Sequence, residues 1–524
     1  MSKSGIVFIP AAGLGKRAGS QGEHLPKPII SIGDKPLICR VMSLYPKETQ
    51  FVIGLGYKND WVRQVAELTA KINDQEVSFF ITDSWSTPNQ GLSHTIYEAR
   101  KHIGSDFVFH AVDTLISEES CIEVLNCSKN TVVFAQPSVS GSYRTIIDGA
   151  WERIAIEKNQ KIKVYTGVAF IKNEQKFWDS IAMQLESNPE GGEALGIDPL
   201  SVERITIKDN EWLDCGSIEG IAAARPKYQS VDVVLERSNE AIWKFENWMY
   251  KFHESEEFIK NRISRAKSLQ PFVPESEFVS PNIYKYVRAL GVTLSNVEPE
   301  VFKKFLQFCL KFWFSDLRES DFLDLKGNQY DFRAFYFHKT QERVAQYLRI
   351  RPDYNPATIN GLAVKDIDET IRKLPWDEIF SIYPCRAHGD LHPENVVYDV
   401  ETDQFKFLDW RQDIAGSSLK MGDLYYELGK IKHGLMVDHT LISEGKFKVN
   451  MDDKNYLISV AESENKRNWM IDFEEFVKTN KFDENKIELM TGLIFINIAA
   501  LHHSGYNDFL FTLGHSILSR HVRP

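Results

Sequence analysis

The segment GIVFIPAAGLGKRAGS, residues 5–20, joins a short apolar run to a glycine-rich turn that carries basic residues. The apolar run predicts a buried β-strand, and the turn after it lets backbone N–H groups approach a phosphate chain closely. Arg17 is placed to neutralise phosphate oxygens. Gly13 and Gly15 are a weak signal by themselves, and Gly19 interrupts the helix that a dinucleotide fingerprint requires. The segment therefore predicts the first strand and phosphate-facing turn of an open sheet.

Further short apolar runs follow at intervals up to about residue 223. They are FVIGLG (51–56), VSFFIT (77–82), FVFHAV (107–112) and TVVFAQ (131–136), with amphipathic helical stretches between them. Near-continuous apolar strands that alternate with helices are typical of a parallel sheet covered on both faces. The pattern predicts an α/β nucleotide-binding domain over residues 1–228, where Arg225-Pro226 and a polar stretch end the last helix.

Composition and charge restrict the class of protein. The chain has 524 residues, of which 43% are hydrophobic and 26% charged, the usual balance of a globular protein of several domains. With 62 basic and 73 acidic residues the net charge is -11, which argues against nucleic acid as a partner. A local basic pocket for a phosphorylated ligand is compatible with that balance.

Membrane insertion and secretion are not expected. No apolar stretch reaches the roughly 18 residues that a membrane helix needs, and the beginning of the chain lacks the pattern of a signal peptide. The six cysteines form no CxxC pair. The chain is therefore expected to be a reduced, cytoplasmic enzyme.

Residues 229–524 have a different pattern, which predicts a second, two-lobed α+β domain. A small lobe over 231–294 contains DVVLER, AIWKF and WMYKFH as antiparallel strands, a helix over 254–269 and the strand NIYKYVR (282–288). A large lobe over 295–524 is mostly helical in pattern, with a loop-strand segment at 384–410.

Five features of the first 225 residues occur together in one order. They are GLGKR (13–17), PKP (26–28), NQGLSHT (89–95), Asp113 after FVFHAV, and WLDCGS (212–217). Lys27 lies between two prolines, whose fixed φ angles make it a pre-positioned cation. In this order the features resemble those of the sugar-phosphate nucleotidyltransferases, which implies a Rossmann-like domain that joins an NTP to a phosphorylated substrate and releases pyrophosphate.

The resemblance also implies roles for individual residues. Arg17 and Lys27 would take part in catalysis and, with Gly13 and Gly15, contact the triphosphate. Gln90 and Gly91 would contact the nucleobase, and the sugar phosphate would be bound by Glu157, Lys158 and Gly167. The Mg²⁺ ligands would be Asp113 and Asp214. Where the family usually has a Pro-Leu-Thr-type segment, AGSQGEHL (18–25) stands instead. The substrate therefore stays open.

The motif HGDLHPEN, residues 388–395, precedes the strand FKFLDW, which places Asp409 fourteen residues beyond Asn395. Phosphoryl transfer to a hydroxyl needs a carboxylate that takes the proton and oxygen ligands for Mg²⁺. Asp390, Asn395 and Asp409 supply these groups in order. The segment resembles the catalytic loop of aminoglycoside phosphotransferases and choline kinases, which implies that Asp390 is the base and that Asn395 and Asp409 hold Mg²⁺.

A kinase of this kind needs a small-lobe lysine for the ATP phosphates. Lys251 in WMYKFH is the preferred candidate, and Lys244 in AIWKF is its rival. Glu257 is the candidate ion-pair partner, with Glu256 placed almost equally well. Asp423, farther along the chain, is expected to cap a helix.

Three functional hypotheses follow. The first is a bifunctional enzyme that uses ATP to phosphorylate a small, sugar-like hydroxyl compound and couples the product to a second NTP, which is CTP, UTP or dTTP. The resemblance links such a pairing to capsule or lipopolysaccharide precursors. The second is a nucleotidyltransferase with an inactive kinase-like binding module. The third is a fusion of a choline kinase and a phosphocholine cytidylyltransferase, in which Trp410, Tyr425 and Tyr426 contribute to a cage around a quaternary ammonium.

Overall fold

The computed structural model describes residues 5–15, 25–157, 160–172, 174–208, 211–228, 239–326, 330–438, 441–442, 444–502 and 505–522. The chain forms two compact units. The first comprises Met1–Ser255 and Val279–Lys285, and the second comprises Glu256–Phe278 and Tyr286–Pro524.

The first unit alternates strands and helices. Its strands are β1 (Ile6–Ala11), β2 (Ser31–Ile32), β3 (Lys35–Pro36), β4 (Gln50–Leu55), β5 (Glu76–Ile81), β6 (Phe107–His110), β7 (Thr114–Leu115), β8 (Thr131–Ala135), β9 (Gly141–Ile147), β10 (Ala150–Ile156), β11 (Val164–Ile171), β12 (Glu203–Thr206), β13 (Leu213–Asp214), β14 (Glu240–Phe245) and β15 (Trp248–His253), and the division between the units passes through β16 (Ser276–Ser280) and β17 (Ile283–Val287). Its helices are Leu37–Met42, Asn59–Asn73, Leu92–Glu98, Glu118–Leu125, Glu174–Ala182, Ala194–Ile197 and Ile218–Ala224.

A seven-stranded mixed sheet, in the order β12-β8-β11-β6-β1-β4-β5, is the centre of this unit. Strands β5, β4, β1 and β6 are parallel, as predicted. The sheet is parallel-rich rather than parallel throughout, because β11 runs antiparallel to both β6 and β8. Val7 and Ile9 lie in one apolar core and Phe8 in another, so β1 is covered on both faces.

The order of the strands creates a switch point between β1 and β6. From β1 the chain proceeds outward to β4 and β5, and it then returns to place β6 on the other side of β1. In open α/β sheets, ligands bind beyond the carboxyl ends of the strands at such a switch point. The segments that follow β1 and β6 contain Gly13 and Asp113, which directs attention to this edge.

A second sheet, in the order β14-β15-β17-β16, follows in the chain. The predicted strands AIWKF and WMYKFH pair antiparallel as β14 and β15, while DVVLER lies outside the described residues. The compact units divide at Ser255 rather than at the predicted boundary of 228/229. The physical reason is packing, since Trp243 donates a hydrogen bond to Ser31 over 3.2 Å and the rings of Phe252 and Trp61 lie 5.3 Å apart.

The second unit is largely helical. Its helices are Glu256–Ser268, Pro299–Phe314, Glu319–Lys326, Lys339–Ile350, Ile367–Arg372, Trp376–Ile379, Leu424–Met436, Glu464–Thr479, Glu484–Ala499 and Tyr506–Ser519. Its further strands are β18 (Val292–Thr293), β19 (Thr358–Ile359), β20 (Leu362–Ala363), β21 (Pro384–Arg386), β22 (Val396–Asp399), β23 (Gln404–Phe407), β24 (Met421–Asp423), β25 (Phe447–Asp452) and β26 (Asn455–Val460).

Three small sheets position the loops of the second unit. Their orders are β18-β22-β23, β21-β24 and β20-β19-β26-β25. The HGDLHPEN motif connects β21 to β22. Asp423 caps the helix Leu424–Met436 by accepting a hydrogen bond from the Tyr425 N–H, which confirms the expected cap. Within the described part of the chain, no helix combines the length and apolar character needed to cross a membrane.

Candidate functional site

Two aspartates of the first unit are brought together by a short antiparallel pairing. Asp113 follows β6 and precedes β7, and in the pairing of β7 with β13 Asp214 lies opposite Thr114. The backbone N–H of Cys215 donates to the carbonyl oxygen of Asp113 over 2.8 Å. The predicted metal ligands, about 100 residues apart in the chain, are therefore neighbours in the fold.

Gly216 lies beside both carboxylates, and its lack of a side chain leaves the space next to them free. Its N–H donates to Asp214 Oδ1 over 2.8 Å. A Cβ atom at this position would lie 2.8 Å from Asp214 Oδ1 and 3.3 Å from Asp113 Oδ2. A larger residue would therefore push into the space between the acids, and glycine keeps it clear.

Lys27 completes this group. Its ammonium lies 2.9 Å from Asp113 Oδ2 and 3.3 Å from the carbonyl oxygen of Gly216, and its side chain is mostly buried. Gly15, at the end of the turn after β1, contacts Lys27, because a Cβ built on Gly15 would lie 3.3 Å from the Lys27 Cβ. The structure thus joins the glycine turn, the lysine and both acids at the switch point of the sheet.

The remaining predicted residues of this unit are placed differently. Gly167 accepts a hydrogen bond from the Ala111 N–H over 2.9 Å, so it lies beside the segment that leads to Asp113. Gln90 is half-buried, and Gly91 is the N-cap of the helix Leu92–Glu98. Glu157 is exposed just after β10. Gly13 faces open space, and Arg17 and Lys158 lie outside the described residues.

Sequence reasoning missed three residues around the acids. The Tyr143 hydroxyl donates to Asp214 Oδ2 over 2.9 Å. His110, whose pKa is lowered to about 4 by burial, contacts the Thr114 carbonyl oxygen over 2.9 Å. Burial raises the pKa of Glu193 to about 7, and the nearby charge of Asp113 adds to that rise. The contact of Tyr143 with Asp214 joins segments that are distant in the chain, whereas His110 lies within FVFHAV and contacts Thr114 four residues later.

The acids of the first unit fit the predicted Mg²⁺. Mg²⁺ prefers oxygen ligands and is commonly held by one or two carboxylates, with water and substrate phosphates as its other ligands. Asp113 and Asp214 supply two such carboxylates at Gly216. Among the described residues, no group of three or more His, Cys, Asp or Glu side chains could hold a metal ion.

In the second unit, Lys430 and Asn395 contact Asp390 of the HGDLHPEN motif. Lys430 places its ammonium 2.8 Å from Asp390 Oδ1. The Asn395 side chain donates to the Asp390 carbonyl oxygen over 2.9 Å. Burial alone would raise the pKa of Asp390, but the charges of Lys430 and His392 hold it well below its usual range. Asp390 is therefore ionised, as a proton acceptor must be.

Asp409 lies next to this group. The N–H of Leu408 donates to the Asn395 carbonyl oxygen over 2.7 Å. Asp409, the next residue in the chain, therefore lies close to Asn395. Arg262 donates to Asp409 Oδ1 over 2.7 Å. The carboxylate and amide oxygens of Asp409 and Asn395 are a donor set that suits Mg²⁺.

A buried glutamate binds the backbone at the start of the HGDLHPEN motif. Glu427 accepts hydrogen bonds from the N–H groups of His388 and Gly389 over 2.9 and 2.7 Å. Arg265, which is fully buried, donates to the carbonyl oxygens of Ala387 and Leu419. Neither residue lies in the HGDLHPEN motif, and sequence reasoning missed both.

Glu427 predicts a pH dependence of stability. Burial raises its pKa from 4.5 to about 7, so the folded protein keeps a proton that the unfolded chain releases. The contribution of protonated Glu427 to the stability of the folded protein is fully present below pH 4.5. It is lost as the pH rises through about 7. Relative to Glu427→Gln, we expect the free energy of unfolding of the wild type to fall by on the order of 3 kcal/mol across that range. Urea unfolding at a series of pH values checks this, and parallel pH profiles of the two proteins would contradict it.

The predicted partner of Lys251 is wrong. Lys251 forms a buried ion pair with Glu240 over 3.2 Å, whereas Glu257 is exposed. Ile242 pairs with Lys251 across β14 and β15, and Glu240 lies two residues before it on the same face. The role of Lys251 as a nucleotide contact stays a prediction.

The aromatic residues considered for a quaternary ammonium cage have separate surroundings. Trp410 is buried and donates its indole N–H to the Arg262 carbonyl oxygen. Tyr425 lies under the Lys486 ammonium. Tyr426 packs against the ring of Phe335. These surroundings give no support to the cage.

Comparison with solved structures finds similar proteins for the N-terminal part of the chain. One is UDP-glucose pyrophosphorylase complexed with UDP-glucose, with 16% identity, 43% of this chain and 98% of that chain covered, and a TM-score of 0.32. Another is CTP:phosphocholine cytidylyltransferase (LicC) from Streptococcus pneumoniae, with 13% identity, coverage of 43% and 99%, and a TM-score of 0.33. A third is HddC from Yersinia pseudotuberculosis complexed with GMP-PN, with 22% identity, coverage of 43% and 99%, and a TM-score of 0.32.

Because these TM-scores are low, the similarities by themselves assign neither activity nor substrate to the chain. No family model and no curated protein matches it.

Proposed function

We propose that the protein is a bifunctional enzyme, in which the second unit phosphorylates a small hydroxyl compound with ATP and the first unit couples the product to a second NTP. The observation that carries the proposal is that, in each unit, a buried lysine contacts an aspartate of the predicted site. In the first unit Lys27 contacts Asp113, and in the second Lys430 contacts Asp390. Opposing anions must meet in both reactions, so charge neutralisation supplies most of the rate.

In the first unit, a phosphate oxygen of the phosphorylated substrate attacks the α-phosphorus of the NTP. A new P–O bond forms, the bond to the α,β-bridging oxygen breaks, and pyrophosphate leaves. Lys27 binds a phosphate oxygen in place of Asp113, and the N–H groups of the turn at Gly13 and Gly15 contact the triphosphate. Mg²⁺, held by Asp113 and Asp214, would neutralise developing charge on the phosphates.

In the second unit, the hydroxyl oxygen of the acceptor bonds to the γ-phosphorus of ATP. The bond to the β,γ-bridging oxygen breaks, ADP leaves, and the hydroxyl proton passes to the Asp390 carboxylate. Asn395 holds the Asp390 loop in place, and Lys430 offsets the charge that accumulates beside it. Asn395 and Asp409 would hold Mg²⁺, which requires Arg262 to release one Asp409 oxygen.

The two reactions fit in one order. Nucleotidyl transfer needs a phosphorylated nucleophile, and a kinase makes one from a hydroxyl. Joining both units in one chain raises the effective concentration of the intermediate. The product is a nucleotide diphosphate conjugate made with CTP, UTP or dTTP, of the kind that serves as an activated precursor for surface polysaccharide.

The ion pair of Arg262 with Asp409 favours a second candidate, in which the second unit binds ligands without catalysis. An arginine on a proposed metal ligand occupies the place of a metal charge. Retention of Asp390, Asn395 and Asp409 together argues for the kinase, because a binding module has no need of all three.

Two separate assays on the wild-type protein test the proposal. The first measures ADP release from ATP with a panel of sugars, sugar acids, polyols and amino alcohols. The second measures pyrophosphate release from CTP, UTP, dTTP and ATP with the phosphorylated forms of the same compounds. ADP release that depends on an acceptor, together with pyrophosphate release that depends on its phosphorylated form, is the expected result. Pyrophosphate release without any acceptor-dependent ADP release would favour the binding-module hypothesis.

A further inference from the structure

Positive charge accumulates on one side of Asp390. Lys430 is buried and lies 2.8 Å from Asp390 Oδ1. Arg411 is packed against the residue before Asp390, because a Cβ built on Gly389 would lie 2.8 to 3.0 Å from the Arg411 side-chain carbons. The Arg411 N–H also donates to the His388 carbonyl oxygen over 3.0 Å, which fixes this approach.

Lys339 brings a third cation to the same place. Its ammonium lies 4.8 Å from the centroid of the Phe335 ring, and the Arg411 guanidinium lies 5.4 Å from that centroid. Burial, and then the positive charges of Arg411, Lys430 and Arg343, lower the pKa of Lys339 well below its usual range. Asp413 is the carboxylate that opposes this effect.

Among the described residues, two cations of this cluster, Lys339 and Arg411, form no ion pair, although the charge of Asp413 acts on Lys339. Lys430 is paired with Asp390, and Arg343 lies near Glu342. Within the described ranges, neither Lys339 nor Arg411 has a carboxylate oxygen within 4.0 Å. Like charges held together in a partly buried place are costly unless a ligand supplies the opposite charge.

We propose that the acceptor of the second unit carries an anionic group, a carboxylate or a phosphate, which Lys339 and Arg411 bind while its hydroxyl faces Asp390. This inference rests on the proposed kinase function and narrows its substrate to hydroxy acids or hydroxyl-bearing phosphate esters. The same cluster repels a quaternary ammonium, so the choline kinase hypothesis is disfavoured.

The first test compares matched acceptors, of which one member of each pair carries an anionic group and the other does not. D-Glycerate is matched with glycerol, gluconate with glucitol, and glucose 6-phosphate with glucose, and choline is added as a cation. We expect an anionic member to exceed its neutral partner in kcat/KM for ADP release by roughly 10- to 100-fold, the effect of one or two charge-assisted hydrogen bonds. The carboxylate and phosphate pairs distinguish the two sources of charge. Equal or higher kcat/KM with the neutral or cationic compounds would overturn the inference.

The second test changes the cluster. Lys339→Gln is expected to raise the KM for the anionic acceptor roughly 10- to 100-fold and to leave the KM for ATP within about twofold, and Lys339→Arg is expected to restore binding. Arg349→Gln is the matched control, because Arg349 is exposed on the same helix, Lys339–Ile350. A rise in the KM for ATP with an unchanged acceptor KM would instead assign the cluster to the ATP phosphates and overturn the inference.

Binding measured without turnover separates this inference from the kinase proposal. Isothermal titration of Asp390→Asn with each matched pair should detect the anion and not its neutral partner, and Lys339→Gln should abolish the signal. A protein that binds the anions and never releases ADP would contradict the kinase and retain the anion site. Absence of binding by every anion would overturn the inference.

Discussion

Asp390→Asn is expected to lower acceptor-dependent ADP formation by roughly 100-fold or more, the usual scale for a lost general base. Asn cannot take the hydroxyl proton, and it leaves the Lys430 ammonium without its carboxylate partner at 2.8 Å. Steady-state ADP release at saturating ATP measures the effect. Pyrophosphate release from the phosphorylated acceptor is expected to stay near the wild-type rate, because Asp113 and Asp214 belong to the other unit.

Asp452→Asn is the matched control for this change, since Asp452 is exposed on β25 of the same unit. It should leave both activities unchanged. A folded Asp390→Asn protein that releases ADP at the wild-type rate would remove Asp390 from the mechanism and favour the binding-module hypothesis.

Asp113→Ala and Asp214→Ala are expected to abolish pyrophosphate release and to leave ADP formation near the wild-type rate. Each change removes one of the two carboxylates that face Gly216, and the loss of Asp113 also removes the ion pair with Lys27 at 2.9 Å. Asp214→Asn is the conservative form, because an amide oxygen still accepts from the Gly216 N–H. Pyrophosphate release with each of the four nucleotides measures the effect.

Asp179→Asn is the control for these variants, because Asp179 is exposed on the helix Glu174–Ala182. If either Asp113→Ala or Asp214→Ala also stopped ADP formation in a folded protein, the two activities would not have separate sites.

Local patterns in the sequence predict the elements that a short segment determines. The apolar run before Gly13 is β1, and the HGDLHPEN motif places Asn395 against Asp390. The hairpin of β25 and β26 lies in a lobe expected to be mostly helical, although FKVNMD (447–452) alternates apolar and polar residues as a strand does.

Contacts between distant segments are beyond such patterns. The antiparallel direction of β11 depends on pairing with β6 and β8, and its apolar run resembles that of a parallel strand. Glu240 pairs with Lys251 through the register of β14 and β15, which no spacing in the sequence reveals. Lys430 reaches Asp390 from a helix, and Arg411 packs against Gly389 from a loop. Both residues follow the motif in the chain, and no local signal connects them with it.

The sequential use of the two sites is the central claim, and a one-pot reaction tests it directly. The unphosphorylated acceptor, ATP and the second NTP are supplied together, and mass spectrometry looks for the nucleotide diphosphate conjugate. We expect the wild type to form it, Asp390→Asn to form it only when the phosphorylated acceptor is added, and Asp214→Ala to form none in either case. If the wild type makes the phosphorylated acceptor and never converts it to the conjugate with any of the nucleotides, the two units do not catalyse successive steps.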